Sequence, residues 1–281
     1  MNNNKLNTII ESLTLNYKSW ILSVFCISIL PNTSSYYNKF FTYIVMLLLS
    51  YWFHYTSHID ETNASVHIYH HNNCNYFGHI IQILLEFVSL LFLIPFTYLL
   101  NINILDRWVI LFFYIFYTTV HNINYSIFHV NTVHEKHHAN VRTNLGPDIC
   151  DIIFNTKSNN DIENTDHYIL NIIISFFIVW NIHNFWEKSN DSSKFLIKII
   201  FGIVFSMISI IIMFFTYYLK RELELKKQMR KPYSEKKKHR KEKTNNKLKL
   251  VMEKSNREKN KTKEGKSKEK KENKVRKDKK I

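Results

Sequence analysis

The chain has 281 residues, of which 46% are hydrophobic, with only 4 Gly and 4 Pro and a formal charge of +15 at pH 7. Its apolar residues form long blocks before residue 220 and nearly vanish after it, which excludes a single soluble globular domain as a description of the whole. Cys26, Cys74 and Cys150 are scattered and show no C-x-x-C spacing, which excludes a disulfide framework.

Taken in chain order, residues 1–18 are polar and mixed, with a short amphipathic helix predicted through Ile9 to Leu15. The start MNNNKLNTII lacks a basic stretch leading into an apolar core, so no cleavable signal peptide is expected. Trp20 to Leu30 is apolar and ends at Pro31; it reads as a marginal span or a re-entrant segment, because crossing the hydrocarbon takes about 20 residues. Phe40 to Phe53 is a stronger span, with Tyr and Trp at its ends as at a membrane interface. Ile80 to Leu100, interrupted by Glu86 and Pro95, and Leu105 to Val120 form a helical hairpin. Tyr168 to Trp180 and Phe195 to Leu219 complete the set.

These segments predict an all-α membrane protein, a bundle of about four to six transmembrane helices. Residues 1–219 form the membrane-embedded domain, and residues 220–281 form a Lys-rich low-complexity tail expected to be disordered and cytosolic. Pairing the segments in order returns the chain to one side three times. Both termini, the histidine clusters and the tail then share one face, and the Lys-rich flank of the last span assigns that face to the cytosol.

The chain holds 14 His, and most are clustered. His54 and His58 are spaced i, i+4. His67, His70 and His71 follow as H-x-x-H-H, and His134, His137 and His138 repeat that pattern beyond the hairpin. Helical i, i+3 and i+4 positions share a face, so each cluster can aim two or three imidazoles at one point. Together these eight imidazoles suffice for two metal ions, and many imidazoles without Cys suit iron or zinc. Ionisable clusters where apolar helices meet water are functional candidates. His79 and His183 read as interfacial residues, and His167 reads either as interfacial or as a further donor from a later loop.

The order and spacing of these boxes resemble the fatty acid hydroxylase and sterol desaturase superfamily of membrane di-metal oxygenases. Its pattern is H-x-x-x-H, a short gap, H-x-x-H-H, a membrane hairpin and a final H-x-x-H-H. Acyl-lipid desaturases resemble the chain less, because their first two boxes lie farther apart. Downstream, NLGPDICDIIFNT resembles the family's next segment at Asn144, Gly146, Asp151, Phe154 and Thr156, with Asn155 where Gly is usual. His121 with Asn122 resembles the family's extra His pair, but Tyr125 stands where a second His is expected, and His129 is the candidate to supply that donor. The family's His-Pro-x-Glu element is absent; Phe77-Gly78 and a displaced Glu86 remain. The resemblance covers about residues 40–157.

The resemblance implies a cytosolic histidine-rich site holding two iron ions, with zinc possible in a purified form. The ligand set it implies is His54, His58, His67, His70, His71, His121, His129, His134, His137 and His138. It further implies O2-dependent hydroxylation or desaturation of a fatty acyl, sterol or sphingoid lipid, and residence in the endoplasmic reticulum. Electrons would come from a separate reductase and a b-type haem carrier, since no flavin, nicotinamide or haem motif is evident here. Two other functions stay open: a catalytically inert membrane scaffold with a basic interaction tail, and a zinc-dependent membrane hydrolase using Glu135 of HEKHH. The tail has no interleaved aromatic residues for stacking, so nucleic acid is not expected as a partner. Lys277 and Lys279 near the end match a cytosolic dilysine retrieval pattern.

Overall fold

The computed structural model describes residues 3–31, 34–59, 66–73, 75–158 and 162–226, together with Glu242. The order expected of the tail, its dilysine pattern and Cys74 lie outside the described residues. Among the described residues every regular element is helical. In chain order they are α1 (Asn3–Leu15), α2 (Tyr17–Ile29), α3 (Tyr36–Ser57), α4 (Val66–Asn72), α5 (Tyr76–Leu91), α6 (Leu93–Leu99), α7 (Arg107–Thr119), α8 (Thr132–Ala139), α9 (Asp148–Phe154), α10 (Tyr168–Lys188) and α11 (Asp191–Lys226). Helix α7 runs on without a break into a π-helical turn, Val120–Tyr125.

All six apolar segments of the sequence are helical, and local chemistry marks their starts. Ser35 caps α3 by accepting from Asn38 N, and Asn75 caps α5 through Gly78 N. Asp106 caps α7 by accepting from Trp108 N and Val109 N, and Asn131 caps α8 through Val133 N. Each such side chain satisfies amide groups that a helix start leaves open. Pro95 has no N–H for the Leu91 carbonyl, and the junction at Phe92 between α5 and α6 lies one turn before it.

Among the described residues, three helical stretches are long and apolar enough to cross a membrane: Tyr76–Leu99, Tyr168–Lys188 and Asp191–Lys226. This is consistent with a membrane protein. Of the other expected segments, α2, read as a marginal span or a re-entrant segment, and α7 have 13 residues each, and α3, read as a stronger span, is not among these three.

Helix α7 forms the centre of the bundle and packs against α3, α5 and α10. Its Val109, Ile110, Phe112 and Phe113 are wholly buried, beside Met46 of α3 and Ile172 and Val179 of α10. The two ends of the bundle differ in kind. At one end the starts of α3 and α7 meet: Ser34 donates to Asp106, and the Asp106 amide donates to Thr42 Oγ1 at 2.8 Å. The last turns of α10 join them, with His183 against Trp108 at 4.9 Å between ring centroids. The other end carries the end of α3, α4, the π turn and α8, and with them all three histidine boxes. Helix α11 starts near the first end, where Lys198 lies over the Tyr98 ring, and reaches the second, where Phe215 packs on Tyr69 and Phe77. The boxes and the later part of the last helix therefore lie at the same end.

Replacing the α7 cap tests how far the bundle depends on this end. Asp106→Ala is expected to lose about 0.5–2 kcal/mol, the usual cost of removing a helix cap. A lowered melting temperature in detergent for Asp106→Ala, with Asp106→Asn close to wild type, is the expected outcome. An unchanged Asp106→Ala protein would contradict it.

Candidate metal centre

Four elements bring nine imidazoles together. The last turn of α3 and its C-cap supply His54 and His58, and α4 supplies His67, His70 and His71. The π turn supplies His121, and α8 supplies His134, His137 and His138.

The nine form two adjoining groups. In the first, His54, His58, His67, His71 and His137 each offer a ring nitrogen, and all five nitrogens lie within 4.8 Å of one another. The closest approaches are His54 Nε2 to His137 Nε2 at 2.9 Å, His67 Nε2 to His58 Nε2 at 3.1 Å and His71 Nε2 to His67 Nε2 at 2.9 Å. In the second, His134 and His138 bring their Nε2 atoms to 3.1 Å. His121 lies beside His134 at 5.1 Å between centroids, and His70 lies 5.8 Å from His121 and 5.9 Å from His138. The groups touch where the His71 and His138 rings lie tilted to each other, 4.2 Å apart between centroids.

Partners behind the rings decide which nitrogen carries hydrogen. His137 Nδ1 donates to the Thr143 carbonyl at 2.8 Å, which can only accept. His67 Nδ1 meets Gln82 Oε1 at 3.0 Å, while Gln82 Nε2 donates to Glu86 Oε1 at 2.9 Å. His121 Nδ1 donates to the same Glu86 oxygen, and Asn122 Nδ2 donates to the other at 3.0 Å. With Nδ1–H so engaged, the Nε2 lone pairs of His67, His121 and His137 are left for the centre. That is the arrangement found behind metal-bound imidazoles. His121 Nε2 is buried and has no hydrogen-bond partner among the described residues.

Burial favours the neutral form of four of these rings. It pushes His70 and His137 down to about 3, and His58 and His138 down to about 4, with neighbouring imidazoles adding to the effect. The five converging nitrogens of the first group, with no oxygen or sulfur donor among them, could hold a metal ion.

The loop after α8 braces His137. Asp151 accepts from Leu145 N, Gly146 N and Thr156 Oγ1 at 2.9, 2.7 and 2.7 Å, which closes the segment from Asn144 to Thr156 into a ring beside the Thr143 carbonyl. Asn155, where the resembling family has Gly, has φ +59°; Asn is one of the few side chains that tolerates this left-handed conformation.

Of the residues expected to act as donors, His129 does not join the cluster. It lies just beyond the π turn at φ +49°, its ring is exposed, and it faces Glu135 at 3.8 Å. Tyr125 fills the space instead. Its ring stacks on His134 at 4.4 Å and 15°, and its hydroxyl donates to Glu163 and meets Tyr168. His167 lies one ring layer farther out, against Tyr125 at 5.7 Å and Glu163 at 3.7 Å. Glu135, the carboxylate of HEKHH, stands on the exposed side of α8 with His129. The sequence reading passes over Gln82, takes His79 as interfacial and takes Glu86 only as an interruption and a displaced remnant of the family element. His79 lies 5.1 Å from His70, beside the second group, and a lone His carries no signal for that. Gln82 and Glu86 had a usable one: a polar pair at i, i+4 in an otherwise apolar helix.

A pocket leads from this centre into the bundle. His54, His121 and His134 stand at its head, and Trp20, Leu47, Phe113 and Phe116 form apolar walls below. Compared with known protein families, curated proteins and solved structures, the chain has no match. The reading of the centre therefore rests on its own residues.

Two outcomes are expected from this geometry. Glu86→Ala frees His121 and loosens Gln82, so metal affinity is expected to fall about 10- to 100-fold, the usual effect of removing the group behind a ligand. Chelator competition on the purified protein reads this, and an unchanged affinity would contradict the role given to Glu86. The depressed imidazoles also predict the acid limb of stability. An imidazole held below its ordinary 6.5 binds its proton more readily in the unfolded chain. Unfolding thus takes up protons below pH 6.5. Stability is full above that value and falls as pH drops towards 4. Melting temperatures measured with chelator present should decline from pH 7 to pH 5, and a flat profile would contradict the burial of neutral rings.

Proposed function

We propose that this protein is an O2-dependent membrane lipid oxygenase, a hydroxylase or desaturase acting on a fatty acyl, sterol or sphingoid lipid. The observation that carries the reading is the pair of adjoining imidazole groups at the head of an apolar pocket within a bundle of membrane-length helices. Two iron ions would be held, one by His54, His58, His67, His71 and His137 and the other by His70, His121, His134 and His138. When bound, the iron pair supplies the oxidation of a C–H bond by O2.

The chain's own residues do the rest. Gln82, Glu86 and the Thr143 carbonyl hold His67, His121 and His137 with Nε2 turned inward. Trp20, Leu47, Phe113 and Phe116 offer an apolar path on which a lipid chain can lie, and they exclude water from beside the centre. Among the described residues the carboxylates buried at the centre and pocket are all held by donors, Glu86 and Asp151 by three each, Glu163 by Tyr125, Tyr168 and Asn131, and Asp148 by Ser12 and Lys157, while Glu135 faces outward. An inert scaffold gains nothing from burying nine imidazoles together, which costs stability. With no flavin, nicotinamide or haem motif evident, the reading takes a separate reductase and a b-type haem carrier as electron source. It also takes the endoplasmic reticulum membrane as location, with both termini cytosolic.

The test combines metal and product. Purified protein is expected to carry about two iron per chain, as two sets of four or five ligands require. With reductant it should consume O2 while converting a membrane lipid. His137→Ala should abolish conversion yet still insert in membranes. Full activity in His137→Ala, or iron-loaded protein with no O2-dependent lipid product, would overturn the proposal.

A further inference from the structure

The hydroxyls that line the pocket are almost all committed to the protein itself. Ser12 donates to Asp148 at 2.9 Å, Ser19 donates to the Asn16 carbonyl, and Thr165 donates to Asn16 Oδ1. Ser23 and Tyr43 bond each other, and Tyr125 and Tyr168 share Glu163. Tyr117 is the exception. It lines the same pocket, one helical turn before His121, with its ring 6.0 Å from that imidazole and stacked on Phe113 at 5.9 Å. Its hydroxyl has no hydrogen-bond partner among the described residues, although a phenol hydroxyl can both donate and accept. The residue is half-buried, so a chain that fills the pocket takes water from this hydroxyl, and a ligand oxygen that bonds it avoids that cost.

We infer that Tyr117 is a specificity-determining residue. Its hydroxyl binds an oxygen of the substrate, so that the pocket takes an apolar chain carrying a hydroxyl or carbonyl and disfavours a plain hydrocarbon. The inference rests on the oxygenase reading for the class of substrate. It adds where the oxygen sits: about one helical turn from the His121 end of the centre, which fixes the carbons next to that oxygen nearest the metals. Phe113, Phe116, Leu47 and Trp20 then hold the rest of the chain by contact alone and discriminate little between chains of similar width.

The test crosses ligand with variant. Equilibrium binding of radiolabelled hexadecan-1-ol and of hexadecane is measured on full-length wild-type and Tyr117→Phe protein in nanodiscs. The protein is kept anaerobic so that no turnover intervenes. Tyr117→Phe keeps the ring and its stacking on Phe113, and equal melting temperature and equal metal content confirm that fold and centre are intact. The expected result is an alcohol affinity lowered about three- to tenfold by the substitution, the effect of one hydrogen bond. Hexadecane binding should be unchanged. Equal effects on both ligands, no effect on either, or no binding of the alcohol to wild-type protein would each overturn the assignment. Oxygen consumption and lipid conversion are measured separately on wild-type protein. An oxygenase with no alcohol preference thus fails this inference alone, whereas an alcohol preference without oxygenation fails the functional reading alone.

Discussion

A carboxylate inside an apolar helix must be matched by donors, and the rest of this centre depends on how Glu86 is matched. Its donors come from α5 itself, through Gln82, and from the π turn after α7, through His121 and Asn122. These bonds fix the rotation of α5 against α7, because a modest turn of either helix would strand the charge. The same bonds settle the tautomer of His121 and, through Gln82, that of His67. One buried charge thus sets the packing angle of two helices and the chemistry of an imidazole in each of the two groups. A polar network in which the buried carboxylate is matched at both oxygens favours a single arrangement where apolar packing alone would admit several.

The arrangement also divides the labour between the ends of the bundle. The end away from the histidines is held by capping and aromatic contact: Asp106 with Ser34 and Thr42, and Trp108 with His183. It gathers few groups that could do chemistry. The histidine end concentrates them, and its shorter elements, α4, α8 and α9, lie on top of the longer helices. The short α8 needs bracing that a long helix would supply itself, and the ring closed by Asp151 provides it at the Thr143 carbonyl.

Much of this was legible in the sequence. The six apolar segments predicted the long helices, since their length and lack of charge leave little choice. The i, i+4 spacing placed His54 with His58, His67 with His71, and His134 with His138, a local property of a helix, whereas His70 and His137 turn to the other group through contacts between elements. The features that were not legible depended on contacts far apart in the chain. His79 has no companion in sequence and gains its place only because α5 starts beside α4. Tyr125 reads as a missing ligand until its stacking on His134 is seen. His129 reads as a substitute until its left-handed backbone turns it outward. Glu86 looked like a defect in a membrane span, although its pairing with Gln82 four residues earlier was there to be read.

The π turn at Val120–Tyr125 has a further consequence. A π turn closes its hydrogen-bonded ring with one residue more than an α turn, so this helix carries a surplus residue at the centre itself. Loss of one residue between His121 and Tyr125 would restore an ordinary helix and shorten their spacing from four positions to three, so that the two side chains no longer lie one above the other as the π turn places them. The rings of His121 and Tyr125 could not then both keep their contacts with Glu86 and His134. Side chains in this turn can be exchanged one at a time for others of like shape, but the number of residues cannot change. Over this short stretch the protein is constrained in length more tightly than in composition.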